Sequence, residues 1–243
     1  MTYTTEAIIL KSFPYNDSSL IVKAYTKDSG LQSFILRSSR GKKNSNTKVQ
    51  HFQPLRLVQL ELSSNPKAQL HSIKSSTQVF CCDKTSCNII KTTLAIFITE
   101  VLNVSIKENT ANEELFNFLK SQIQNLECTE EKDLAEFHLH FLLELSSILG
   151  FCPNDNHDCT RPYFDLTAGK FVSDCREYET LSAEASLKLH KLLDANQNCN
   201  CKRTTCSNIE RKELLDILIR FYAIHITAGK MIHSQDILSV VLS

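Results

Sequence analysis

The sequence predicts an α+β chain, a small antiparallel barrel followed by an all-α domain, and three observations carry that reading. Hydrophobicity alternates with a period of two up to about residue 80 and with a period of about 3.6 after it. The strand-like runs of the first part are joined by loops too short for crossover helices, so they pair antiparallel. Charge divides at the same place: residues 1–80 hold eleven Lys and Arg against four Asp and Glu, net +7, and the remaining 163 residues hold 16 against 23, net −7.

Within the first part, Ala7–Lys11, Leu20–Thr26 and Gln32–Arg37 are short runs rich in Ile, Val, Leu, Tyr and Phe. In the second run Leu20, Val22 and Ala24 alternate with Ile21, Lys23 and Tyr25. KDSG at 27–30 supplies the turn chemistry of a hairpin. SSRGKKNSNTK, residues 38–48, has nothing to bury and reads as a loop. Leu55–Leu62 and Gln69–Lys74 complete the set, separated by SSNPK, whose Pro66 forbids an interior ladder position. Five short strands in about 75 residues fit a five-stranded antiparallel OB-fold barrel.

Past residue 82, Ile89, Ile90, Leu94, Phe97, Ile98, Val101 and Leu102 repeat at helical spacing, and Leu115, Phe116, Leu119 and Ile123 follow an Asn112 cap. Leu134, Phe137, Phe141, Leu145 and Ile148 mark a third helix. It is apolar round most of its circumference through Leu139, Leu142 and Leu143, and is expected at the centre of its domain. Gly150 and Pro153 stop it. Residues 151–180 are irregular. Helices resume at Ala183–Ala195, at Ile209–His225 behind a capping box of Ser207 and Glu210, and at Asp236–Leu242. The expected domains are therefore 1–80 and 81–243, with an irregular insertion at about 151–180.

Composition excludes several classes. Five Gly, five Pro and 8% aromatic residues do not describe a collagenous, low-complexity or disordered chain. Lys91, Thr92, Thr93, Thr99 and Glu100 interrupt the longest apolar run, so no membrane span is expected. The N-terminus MTYTTEAIILKSFPYNDSS shows neither the basic segment nor the cleavage site of a secretory signal. A soluble cytoplasmic protein is expected, and there the ten Cys read as reduced thiols. No GxSxG, GxxxxGK[ST], HExxH or strand-borne GxGxxG occurs, and no catalytic residue is expected.

Metal ligation is weakly supported. Glu136, His140 and Glu144 at i, i+4 and i+8 read as a solvated helix stripe, and His138 and His225 as core histidines. No C-x2-C pair exists to grip a zinc ion from a tight turn. Cys199, Cys201 and Cys206 form C-x-C-x4-C in a polar segment, which fits a soft-metal or thiol site and a plain solvated loop equally.

The basic barrel carries the clearer signal. Arg37, Arg40, Lys42 and Lys43 crowd into seven residues at a strand end and loop start, where long cationic side chains reach phosphates without desolvation. Lys23, Lys48 and Arg56 lie on neighbouring segments. Lys23, Arg37, Arg40, Lys42, Lys43 and Arg56 form the expected DNA-binding set. Tyr25 and Phe34 are candidates for base stacking, and Phe34 also for the core. Two other classes stay open: an acidic helical adaptor whose barrel binds protein, and a thiol or metal sensor built on the Cys trio.

Several stretches, in their order and spacing, resemble a known family. They are TTEAIILKSFPYNDSSLIVKAYTKDSGLQSFILRSSRGKKN, QPLRLVQLELSSNPKAQLHSIKSS, the pair ITEVLNV…NEELFNFLKSQI and FHLHFLLELSSILGFCPN, and RKELLDILIRFYAIHITAGKMIHSQDIL. Over nearly the whole chain they resemble the bacterial recombination mediator RecO family. The resemblance implies an OB-fold followed by a helical domain. It implies a non-enzymatic, nucleoid-associated protein that binds single- and double-stranded DNA and anneals complementary strands. It also implies two partners, RecR and the single-stranded-DNA-binding protein, with which such proteins load recombinase onto coated single strands.

Two site expectations follow from the resemblance. Bacterial single-stranded-DNA-binding proteins end in a short acidic peptide with a hydrophobic tip, so the helical half should pair an apolar pocket with cations. Arg211, Lys212 and Arg220, eight to nine residues apart on one helix, are the candidates, against the alternative that they only pair with Glu210, Glu213 and Asp216. Many family members also carry a four-Cys zinc site after a GF-x-P segment. Here those positions are Cys159, Pro162, Ser173 and Arg176, with Cys175 out of register. No zinc is expected, and packing of the PYFDLTAGKFVS hairpin should replace it.

Overall fold

The computed structural model describes residues 2–37, 49–63, 70–107, 110–176, 179–197, 206–227 and 229–242. They form two compact units, Met1–Thr129 and Glu130–Ser243. The change from strands to helices falls near residue 80, but the first compact unit continues through two long helices beyond it.

Five strands close the barrel: β1 (Thr2–Asn16), β2 (Ser19–Thr26), β3 (Gly30–Arg37), β4 (Leu57–Ser63) and β5 (His71–Gln78), in the order β1-β2-β3-β5-β4. Every pairing is antiparallel except β3 with β5, which runs parallel. Alternation predicts only Ala7–Lys11 for the first strand. The observed strand is 15 residues long. Its first half pairs with β4 and its second half with β2, and register slips at Ile9/Lys11 and Pro14/Asn16 bend it so that one strand serves both neighbours. Ala7, Ile9, Val22, Ala24, Phe34 and Leu36 point into the barrel, where they are buried with residues of β4 and β5.

Three helices complete the first unit: α1 (Asp83–Cys87), α2 (Ile89–Ser105) and α3 (Glu113–Cys128). The Asn112 side chain accepts from Leu115 N–H, the cap the sequence predicts, and Asn88 does the same for α2. Helix α1 has no sequence signal, being too short to persist alone. Glu127 of α3 holds it: its carboxylate accepts from the N–H groups of Lys84 and Thr85 at 2.7 and 2.8 Å and from the Thr85 hydroxyl at 2.6 Å. The turn between β2 and β3 requires glycine, since Gly30 has φ +64 and a Cβ there would lie 2.2 Å from the Thr110 carbonyl oxygen.

The second unit contains α4 (Phe137–Ile148), β6 (Tyr163–Asp165), β7 (Lys170–Val172), α5 (Ala183–Gln197), α6 (Asn208–Tyr222) and α7 (Ser234–Val241). Helix α4 contacts both α5 and α6, as its all-round apolarity predicts. It ends at Gly150, φ +81, where Gly150 N–H donates to Ser147 O and Phe151 N–H to Ser146 O, so two orphan carbonyls are satisfied. The Ser207 and Glu210 capping box starts α6. Past Tyr222, α6 widens into a π turn, Ala223–Thr227. Among the described residues no helix is long and apolar enough to cross a membrane.

Candidate nucleic-acid interface

The second half of β1, with β2 and β3, presents a solvent face on the outside of the barrel. Its rows follow from register: Lys11 lies opposite Lys23 and Lys23 opposite Ser33; Phe13 lies opposite Ile21 and Ile21 opposite Ile35. Two positions further along β3 from Ile35, Arg37 emerges on the same side. Their neighbours Val22, Phe34 and Leu36 face inward, so this set faces out. Phe13 is 42% exposed, and Tyr15, at the slip beside Pro14, is 66% exposed.

Of the predicted DNA-binding residues, Lys23 and Arg37 stand on this face, while Arg40, Lys42, Lys43 and Lys48 lie outside the described residues. Arg56 is elsewhere. It is 9% exposed, and its guanidinium donates to Cys82 O at 3.0 Å, to Gln53 Oε1 at 3.1 Å and to the Ser86 hydroxyl. It ties the start of β4 to α1, so its donors are spent inside the unit and it leaves the solvent-facing set. The expected stacking residues are corrected as well. Tyr25 and Phe34 are 1% and 2% exposed, because both face packed layers. On this face the exposed aromatics are Phe13 and Tyr15; Tyr3, 39% exposed, lies at the other end of β1 against His71. The signal for the pair is the run LKSFPYN, where Lys11, Phe13 and Tyr15 alternate up to the turn, past the predicted strand end at Lys11.

In the second unit, Arg211 and Lys212 line a cavity of about 490 Å³ together with Ile209, Leu215, Leu238 and Val240, with Asp236 also at its wall. Arg211 donates to the Cys206 and Leu242 carbonyls at 2.7 and 3.1 Å and to the Asn208 side chain, so backbone rather than carboxylate orients it. Arg220 does not line this cavity. Nine residues at about 100° each place it half a turn round the helix from Arg211, so the expectation that they share a side fails for that pair. His138 also lines the cavity from α4; burial first, then the Arg211 and His140 charges, push its pKa down to about 3.

The Glu136, His140, Glu144 stripe is not a solvated one. Glu136 is 8% exposed and accepts from Cys206 N–H at 2.6 Å, while His140 Nε2 lies 3.8 Å from its carboxylate and His140 Nδ1 lies 3.1 Å from Asn196 Oδ1. Burial raises the Glu136 pKa, but hydrogen bonds from His140 and Cys206 outweigh it and hold the carboxyl below its usual value. The pair fastens the start of α6 to α4. Cys199 and Cys201 lie outside the described residues, and burial with the Glu136 charge pushes the Cys206 thiol up to about 11, away from thiolate chemistry.

The four positions of the family zinc site do not fit a metal. They offer one thiol, Cys159, and the turn around it is closed by other means: Asp158 accepts from Thr160 N–H at 2.8 Å, the Thr160 hydroxyl at 2.6 Å and the Arg161 guanidinium. Among the described residues no three His, Cys, Asp or Glu side chains are grouped for a metal ion. The β6–β7 hairpin is held by packing: Phe164 and Phe171 meet edge to face at 5.0 Å, and Asn156 grips the Phe171 backbone with both ends of its amide, at 2.8 and 3.0 Å.

Comparison with known proteins covers the whole chain. Residues 1–80 match the family described as Recombination protein O N terminal, and residues 87–232 match Recombination protein O C terminal. The "DNA repair protein RecO" of Flavobacterium psychrophilum is 35% identical over 248 residues, spanning 100% of both chains. The protein of that description from Flavobacterium johnsoniae is 33% identical over 243 residues, again across 100% of both, and that of Phocaeicola vulgatus 29% over 245 residues.

Proposed function

The chain belongs to the recombination protein O family of DNA repair proteins, and from that premise we propose that it is a DNA-binding mediator of recombinational repair. It binds single- and double-stranded DNA, anneals complementary strands and helps load recombinase onto single strands coated by single-stranded-DNA-binding protein. It does so without catalytic chemistry of its own, at the nucleoid, with RecR as a second partner. The barrel of residues 1–80 is the DNA-binding module. The observation that carries the reading is the cationic outer face, where Lys11 and Lys23 stand opposite each other and Arg37 ends β3, followed in the sequence by Arg40, Lys42 and Lys43. Phosphate is the ligand such long, solvated cations suit.

DNA titration at several salt concentrations tests this. Replacing Arg37, Arg40, Lys42 and Lys43 by Gln together should weaken binding to every sequence and flatten the log–log salt slope by about 0.7 per lost phosphate contact on single strands. An unchanged slope would sink the assignment. The cavity on α6 is the receiving site for the acidic tail of single-stranded-DNA-binding protein, its apolar wall taking the hydrophobic tip and Arg211 and Lys212 the carboxylates. Anisotropy with a labelled tail peptide should show weaker binding to Lys212→Glu than to wild type, with Arg220→Glu close to wild type.

A further inference from the structure

The end of the β1–β2 hairpin has features that phosphate binding leaves unexplained. Phe13 and Tyr15 expose large aromatic surface two residues apart, at a cost in apolar hydration that a structural role would not require. Lys11 and Lys23 sit directly opposite each other on adjacent strands, which concentrates positive charge in one row of the face. Between that cationic row and Arg37 runs the row Phe13, Ile21, Ile35, so an apolar strip is bordered on both sides by positive charge.

The platform is also pre-formed. Asn16 Oδ1 accepts from Ser18 N–H at 3.0 Å and from the Ser18 hydroxyl at 3.3 Å, which locks the turn. Pro14 fixes the backbone between the two aromatics. The one acid between Lys11 and Lys23, Asp17, lies in the turn itself, past the strip. An apolar strip with cationic borders matches a chain of flat bases strung on phosphates, and it matches only unpaired bases, because a duplex hides their faces.

We propose that Phe13 and Tyr15 stack unpaired bases while Lys11, Lys23 and Arg37 hold the flanking phosphates, so that this hairpin is what distinguishes single strands from duplex. The inference rests on the DNA-binding reading above and adds to it a division of labour. The cations at positions 40, 42 and 43 serve both forms of DNA, and the hairpin aromatics serve the unpaired form alone. Since Phe13 and Tyr15 are exposed, their substitution leaves folding nearly unchanged.

The test uses the full chain and exploits its lack of Trp. In Phe13→Trp the only indole reports the platform, and titration with oligothymidylate should quench it, whereas a blunt duplex at equal occupancy should not. Phe13→Ala and Tyr15→Ala should each lower single-strand affinity by about tenfold, leave duplex affinity within twofold and keep the salt slope of wild type, since no cation is lost. Phe13→Tyr should restore the affinity. Lys23→Gln should instead lower the slope. If wild type binds DNA but the indole is not quenched, or duplex quenches it equally, or Phe13→Ala and Tyr15→Ala bind single strands as wild type does, the proposal is overturned and the strip belongs to a protein partner. A wild-type chain that binds neither form of DNA would instead overturn the DNA-binding reading beneath it.

Discussion

Two of this protein's β-hairpins, β1–β2 and β6–β7, use the same residue types to opposite ends. In β1–β2, strands of 15 and eight residues belong to a closed barrel, whose ladders hold the hairpin without help from its outward side chains. Phe13 and Tyr15 are therefore free to face water. In β6–β7, strands of three residues form a sheet of two, which is marginal on its own. Phe164 and Phe171 must be buried to hold it, at 0% and 1% exposure, and polar anchors do the rest. Asn156 stands in for a missing neighbour strand, the Ser186 hydroxyl accepts from Phe164 N–H at 2.8 Å, and Asp165 accepts from the N–H groups of Thr167 and Ala168 at 2.8 Å. An aromatic becomes available for binding where neighbouring strands already supply stability.

The sharpest way to break this contrast is truncation. Phe171→Ala should destabilise the unit Glu130–Ser243 by about 3–5 kcal/mol, against less than about 0.5 kcal/mol for Phe13→Ala in the barrel unit, both read from urea unfolding. Equal costs would erase the distinction between the hairpins.

Acid should separate the two units next. His138 titrates at about 3 in the fold against an ordinary value near 6.5, so between those values the unfolded chain takes up a proton that the folded chain refuses. Stability of the second unit should fall as pH drops below 6.5, by about 2 kcal/mol at pH 5. His140 does not offset this: Glu136 first among its causes raises its pKa, so its contribution is complete below 6.5 and lost only at higher pH. Glu127, the anchor of the first unit, has a lowered pKa, with hydrogen bonds from Thr85 and Lys84 outweighing burial. Its contribution is lost only as pH falls below the ordinary carboxylate range. Hydrogen exchange at pH 6.5 and 5 should show loosening confined to residues 130–243, and His138→Gln should abolish it.

A smaller effect should follow from Asn156→Ala, which strips both amide bonds from the Phe171 backbone and should cost about 1–2 kcal/mol, whereas Asn156→Asp keeps only the acceptor and falls between. The smallest is nil. Chelator should leave the melting temperature unchanged, since a structural zinc contributes folding energy directly and Cys159 is the one thiol at the four family positions. About one zinc per chain, retained through desalting, would contradict that.

The barrel strands, the Asn112 cap, the Ser207–Glu210 box and the Gly150 stop were legible because each depends on local periodicity or on a few adjacent residues. Helix α1 was not, since its anchor Glu127 lies 40 residues beyond its end. The length of β1 was not, because a proline is tolerated where a slip in register relieves the ladder, and register is a property of two strands. The sites divide in the same way. The charge asymmetry and the family were written in the residues themselves, as was the cationic run from Arg37 onward. Only the tertiary structure decided that Arg56 is buried, that Tyr25 and Phe34 face packed layers while Phe13 and Tyr15 face solvent, and that Arg220 turns away from the cavity of Arg211 and Lys212. The physical reason is that charge and periodicity are carried by a segment, whereas exposure is settled by what folds against it.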